Sequence, residues 1–138
     1  MDAPPEPTIR RLQAGDEEVI RRLADGEPQT ALLAHPSTIF LVAFDGGEPA
    51  GFVLGYELDR RQGDARMLFV YELEVGEPYR RRGIATHLMR ELLRCAEADG
   101  ITDAFVLTEP VNKAANALYA SLGGLRSSTV MYEWSRAT

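Results

Sequence analysis

A single cysteine, Cys95, in 138 residues excludes an intramolecular disulfide and any cysteine-built zinc site. Histidine is nearly as scarce. His35 and His87 lie far apart, with no spacing suited to a metal ion, so no metal is expected. No apolar run approaches the roughly 20 residues that a membrane-spanning helix needs. The opening MDAPPEP is Pro-rich and acidic, with no apolar stretch, and resembles neither a signal peptide nor an anchor. Excess positive charge is also missing. A net charge of −6 argues against a nucleic-acid partner, which favours a basic domain. These absences together predict a cytoplasmic protein with no membrane and no nucleic-acid partner.

What is present is 45% apolar content, enough for the core of one domain. Residues 1–7 read as a flexible lead and residues 8–138 as a single domain. Thr8 to Leu12 suggests a short strand, and Gly15 to Glu18 opens a helix through about Asp25, with acids in its first turn. The stretch from Glu27 to Ser37 is ambiguous in pattern, with a helical turn at Thr30 to Ala34 one reading between Pro28 and Pro36. Thr38 to Phe44 is almost wholly apolar, as in a strand buried on both faces, and Asp45-Gly46-Gly47-Glu48 is a hairpin turn. Phe52, Leu54, Tyr56 and Leu58 then recur with period two. After the turn at Arg60 to Asp64, Met67, Phe69, Tyr71, Leu73 and Val75 fall on one face of a further strand. Leu68, Val70, Glu72 and Glu74 fall on the other.

The periodicity then becomes helical, with Ile84, Leu88, Leu92, Cys95 and Ala96 in one stripe. Gly100 ends this helix, and Cys95 is expected to be a buried, inert thiol. Ala104 to Leu107 is a buried strand, and Asn112 to Leu122 is a helix closed by Gly123-Gly124. A final strand is expected at Thr129 to Trp134, packed by Trp134. The order predicts a mixed α/β sheet: an antiparallel meander running into a β-α-β unit with a right-handed crossover.

Arg80-Arg81-Arg82 stands where this helix begins. Cations there are disfavoured by roughly 0.3–1 kcal/mol each, because that end of the helix is already partly positive. An anion docked against the first-turn N–H groups removes the conflict. Gly83 permits close backbone approach, and Ala85 keeps the next turn small. A diphosphate suits such a site and is preferred over the two alternatives, a solvated charged surface and a nucleic-acid contact. There is no Lys-Ser/Thr pair for a P-loop and no GxGxxG.

Arg80-x-x-Gly83-x-Ala85, after Leu73-Glu74-Val75 and before an amphipathic helix, resembles the acetyl-CoA-binding motif of the GNAT superfamily of N-acetyltransferases. Asn112-x-x-Ala115-x-x-Leu118-Tyr119-x-x-x-Gly123 resembles that superfamily's second block, at a normal spacing. In one place the chain departs from the pattern: Gly124 stands where an aromatic residue is usual. Tyr71-Glu72-Leu73, Arg80 to Ala85, Ala117-Leu118-Tyr119 and the Val130-Met131 terminus are similar to the gentamicin-type aminoglycoside 3-N-acetyltransferases.

The resemblance implies a GNAT-like fold with splayed central strands, acetyl-CoA as cosubstrate, and direct acetyl transfer to a small-molecule amine. It implies Glu72 as general base, directly or through water, with Glu74 beside it for substrate binding. Tyr119 becomes the general acid for the departing thiolate. Leu73, Val75 and the main chain of Arg81, Arg82, Gly83, Ile84, Ala85 and Thr86 would line the pantetheine and pyrophosphate, with Arg80, Asn112, Ala115 and Tyr119 also at the coenzyme. Asn112 also suits a helix cap. A homodimer is compatible with the family. A protein or peptide N-acetyltransferase and a non-catalytic acyl-CoA sensor are the competing functions; the paired Glu72 and Tyr119 favour an enzyme.

Overall fold

The computed structural model describes residues 6–63 and 65–136. Residues 1–5 of the expected lead and Asp64 of the expected turn lie outside the described residues. The elements are β1 (Thr8–Arg11), α1 (Glu17–Leu23), β2 (Thr38–Asp45), β3 (Glu48–Asp59), β4 (Arg66–Val75), α2 (Ile84–Ala98), β5 (Ala104–Val106) and α3 (Lys113–Ser121). The ambiguous stretch resolves as a 3-10 turn at Thr30–Ala34. The sheet order is β1-β2-β3-β4-β5. The first four strands pair antiparallel, and β5 joins β4 in parallel through α2.

Each face of the sheet buries its own apolar cluster. Ile39, Leu41, Val53, Leu68 and Val70 pack against Leu88 and Leu92 of α2. On the opposite face, Phe40, Val42, Phe52 and Leu54 meet Leu12 and Ile20 near α1. Full burial of side chains such as Leu88 and Leu92 is worth about 1.5–3 kcal/mol each. That is why the apolar stripe of α2, rather than the arginines before it, fixes where this helix lies. The hairpin at Asp45–Glu48 closes with Gly46 and Gly47 both at positive φ, the type I′ geometry that matches strand twist.

One expected alternation is corrected. In the β3–β4 register Leu54 faces Glu72 and Gly55 faces Val70, so Tyr71 is the extra residue of a β-bulge. A bulge of one residue reverses the parity of the strand beyond it. Leu73 and Val75 therefore pack on the α2 side with Leu68 and Val70. Glu72 and Glu74 still share a face, but it is the face of Phe52 and Leu54, their cross-strand partners. Period-two counting cannot register an insertion.

Further corrections concern burial: the strand at Ala104 to Leu107, expected to be buried, leaves Ala104 exposed and Leu107 55% exposed, because it is the edge of the sheet. No strand forms at Thr129 to Trp134, and residues 125–136 carry no regular structure. Trp134, expected to pack a strand, is 88% exposed. Cys95 is half-buried rather than buried; loss of hydration, then the charge of Glu91, raise its thiol pKa and keep it protonated.

Glu57 is an acid inside the core, 6% exposed. Its Oε1 lies 3.4 Å from Arg66 Nη1, and its Oε2 finds no partner among the described residues. Burial first, then the neighbouring Asp99 carboxyl, raise its pKa, outweighing Arg66 and Arg11. A carboxyl that holds its proton longer when folded favours the native state below the ordinary glutamate pKa. That stability is lost as pH rises through the raised value. Glu57→Gln should therefore gain stability over the parent between pH 4 and pH 7, with little difference at pH 4, as read by thermal unfolding at both.

Candidate active site

Pairing between β4 and β5 covers only Leu68–Val70 against Ala104–Val106. β4 continues to Val75 without a partner on that side, so the two parallel strands part beyond the pairing. A cavity of about 630 Å³ opens there. Its β4 wall runs from Val70 to Val75, and Val106, Leu107 and Thr108 form the opposite wall. Asn112, Ala115, Leu118 and Tyr119 close it from α3, and Arg80 and Ala85 from the start of α2. A crevice outside the carboxyl ends of parallel strands is where open α/β sheets bind ligands.

Most of the expected site is thus assembled in one place: Glu72, Leu73, Glu74, Val75, Arg80, Ala85, Asn112, Ala115 and Tyr119 all line the cavity. Arg81, Arg82, Gly83, Ile84 and Thr86 are not among its lining residues. Ile84 is 2% exposed and its side chain belongs to the core, so only its main chain is available. Arg82 Nη1 is held by Asp45 Oδ2 at 3.0 Å. Arg80 Nε donates to the Val75 carbonyl at 3.1 Å, tying the loop to the end of β4. Val70, Tyr71, Val106, Leu107, Thr108, Ala114 and Leu118 line the cavity without having been foreseen. The position of Leu107 and Thr108 just past a parallel strand was the signal for those two.

The start of α2 has the features of an anion cradle. Gly83 precedes it at φ +77°, with no side chain capping the helix, and no acid occupies the first turn. The N–H groups there are left for a ligand. Arg81, at φ +65°, is the one non-glycine residue at positive φ among those described. That backbone costs an L-residue about 1–2 kcal/mol, a strain that functional loops commonly store.

Across the cavity, Asn112 Oδ1 accepts the Ala115 N–H at 3.0 Å, the expected helix cap. Tyr119 is partly buried against the α2 cluster, and burial raises its pKa. Its phenol therefore keeps its proton at neutral pH. Glu72 and Glu74 are exposed. Beside them Tyr71, 56% exposed, stands edge-on to Tyr56 and Phe69, each at 5.7 Å. Phe69 stacks on Phe105 at 4.7 Å. The opening thus joins two carboxylates to an aromatic ridge.

A model of the acetyltransferase (GNAT) family matches residues 6–124. The chain belongs to the GNAT family of acetyltransferases. Acetyl-CoA is the acetyl donor of that family. The chain is 34% identical over 89 residues to L-2,4-diaminobutyric acid acetyltransferase of Methylotuvimicrobium alcaliphilum, covering 64% of this chain and 50% of that protein. It is 38% identical over 92 residues to N-alpha-acetyltransferase 30 of Xenopus laevis, covering 66% and 33%. The match thus spans half or less of these relatives' length. Among solved structures, an aminoglycoside acetyltransferase, meta-AAC0020, from an uncultured soil metagenomic sample superposes with TM-score 0.84. It shares 20% identity, over 96% of this chain and 97% of that one. At that identity the likeness bears on the fold, which is the mixed sheet with splayed strands expected of a GNAT domain.

Proposed function

We propose that residues 8–138 form one cytoplasmic catalytic domain that transfers the acetyl group of acetyl-CoA directly to a primary amine of a small molecule. In its narrowest form the acceptor is an aminoglycoside 3-amino group. The observation that carries this is the uncapped start of α2 beside Arg80, opening into the gap between β4 and β5. The first-turn amides and the Arg80 guanidinium suit a pyrophosphate, and the unpaired edge of β4 from Leu73 to Val75 suits the amide-bearing pantetheine arm. Acetyl-CoA supplies the acyl group as a thioester. The amine nitrogen forms a bond to the carbonyl carbon and gives up a proton to Glu72, directly or through water. The C–S bond breaks, and the Tyr119 hydroxyl donates its proton to the leaving sulfur. Main-chain N–H groups near Leu73 to Val75 would stabilise the developing oxyanion.

Glu72 and Glu74 beside the Tyr71 ridge favour a cationic, ring-bearing amine, through charge attraction and cation–π contact. The likeness to an N-alpha-acetyltransferase supports a second reading with a peptide amine as acceptor. Turnover of aminoglycosides against polyamines and peptides, followed as released thiol, separates the two. The working unit in either case is taken to be a homodimer.

Ala85→Glu tests the cradle. A carboxylate in the first turn of a helix stabilises it by roughly 0.3–1 kcal/mol, yet here it would meet the pyrophosphate. The expected result is an unchanged or higher melting temperature with coenzyme A affinity lowered on the order of tenfold, or about 1.4 kcal/mol, by calorimetry. Unaltered affinity would place the coenzyme elsewhere.

A further inference from the structure

The loop that carries Arg80, Arg81 and Arg82 is tied to the sheet at three points. Arg80 Nε donates to the Val75 carbonyl, and the Gly76 N–H donates to the Ala50 carbonyl at 2.8 Å. Both ties sit at the end of β4. The third comes from far away in sequence. Arg82 Nη1 reaches Asp45 Oδ2 at 3.0 Å, across 37 residues. Asp45 ends β2, where Gly46 and Gly47 turn the chain into β3. That hairpin is itself held, because Arg22 Nη2 of α1 meets Glu48 Oε2, on the far side of the turn, at 2.6 Å. Ion pairs thus run from α1 through the hairpin to the start of α2.

The three arginines consequently differ. Arg80 lines the cavity and Arg81 is exposed. The Arg82 and Asp45 side chains are partly buried together, 24% and 25% exposed. Arg81 at φ +65° and Gly83 at φ +77° place left-handed residues on both sides of Arg82. A non-glycine residue stays in that region only where its surroundings over-determine it. The ties flanking Arg81, from Arg80 to β4 and from Arg82 to the hairpin, supply that constraint. Gly83 then leads directly into the first turn of α2, whose N–H groups no side chain caps.

The charge of Asp45 runs against the site it adjoins. A carboxylate near an anion cradle repels the anion, so attraction of the coenzyme does not account for it. Its place is accounted for if its effect is geometric.

We propose that Asp45, on the β2–β3 hairpin, is a positioning residue for the coenzyme. Through Arg82 it holds the strained loop in the form that aims the first-turn amides of α2 at the pyrophosphate. This inference rests on the coenzyme site proposed above. It assigns the Arg82 side chain to holding the loop and leaves its main chain to the ligand.

Asp45→Ala removes both the charge and the acceptor at a half-buried turn position. It should weaken coenzyme A binding about fivefold, the upper range for a partly exposed ion pair, with the melting temperature of the ligand-free protein unchanged. Charge alone predicts the opposite sign, since losing a carboxylate favours an anion. Asp45→Asn keeps an acceptor oxygen for Arg82 and should recover most of the affinity. With Arg82→Ala already in place, adding Asp45→Ala should weaken binding no further. Calorimetry with coenzyme A reads each affinity. Unchanged or tighter binding by Asp45→Ala overturns the inference, and so does an Asp45→Asn that recovers nothing. A loss of affinity matched by a lower melting temperature marks an ordinary structural pair and overturns it as well. A further loss in the Arg82→Ala background removes the route through Arg82 and has the same effect. A parent that binds no coenzyme A sinks the proposed coenzyme site and this inference with it. A parent that binds, beside an Asp45→Ala that binds equally, sinks this inference alone.

Discussion

Tyr119→Phe lowers kcat for acetyl transfer by about 10²–10³-fold, within the range that a positioned general acid supplies. The substitution removes one oxygen from a ring that is partly buried against the α2 cluster, so packing and coenzyme affinity change little. The raised pKa of the phenol, caused by burial, sets the pH behaviour. The proton is present throughout the neutral range and is lost only above the ordinary tyrosine value of about 10. The parent should show no loss of kcat attributable to this group below that pH. Steady-state kinetics with a coenzyme A titration check both parts. If the acetyl-CoA dissociation constant worsens as much as kcat falls, Tyr119 binds the coenzyme rather than serving as acid.

Glu72→Gln is expected to lower kcat/KM for the amine by roughly 10²-fold at pH 7, the lower end of what a general base contributes. Gln is isosteric and leaves the bulge at Tyr71 in place. The deficit should shrink as pH approaches the amine's own pKa, because an acceptor already deprotonated in solution needs no base. Glu74→Gln lies on the same face of β4 and controls for loss of attraction alone. It should raise KM for a cationic amine modestly and leave the pH profile unchanged. A Glu72→Gln deficit that stays constant with pH reduces its role to electrostatic attraction.

These two residues illustrate what could be foreseen. Glu72 and Tyr119 came from motif position, and both line the cavity between β4 and β5. Their roles rest on the family resemblance, because neither periodicity nor composition tells an acid at a site from one in solvent. The bulge at Tyr71 was invisible, since one inserted residue leaves the apolar pattern plausible in either parity. Glu57, buried on β3, gave no signal either. An isolated acid in an apolar run looks the same whether it points to water or inward.

The failed strand at Thr129 to Trp134 is the instructive case. Its period-two pattern describes what the segment can pair with, not where the partner is. In the structure that pattern finds no partner strand, and Val130, Met131, Tyr132 and Trp134 stay exposed.

By itself the sequence determined the element order as far as α3, the two-layer burial and the loop of arginines before α2. These arise from local periodicity, turn residues and helix-end electrostatics, which act over a few residues. Only the tertiary structure decided which face Glu72 and Glu74 occupy and where β4 and β5 part. Each depends on register and on contacts between segments far apart in the chain, and no short window of residues contains that information.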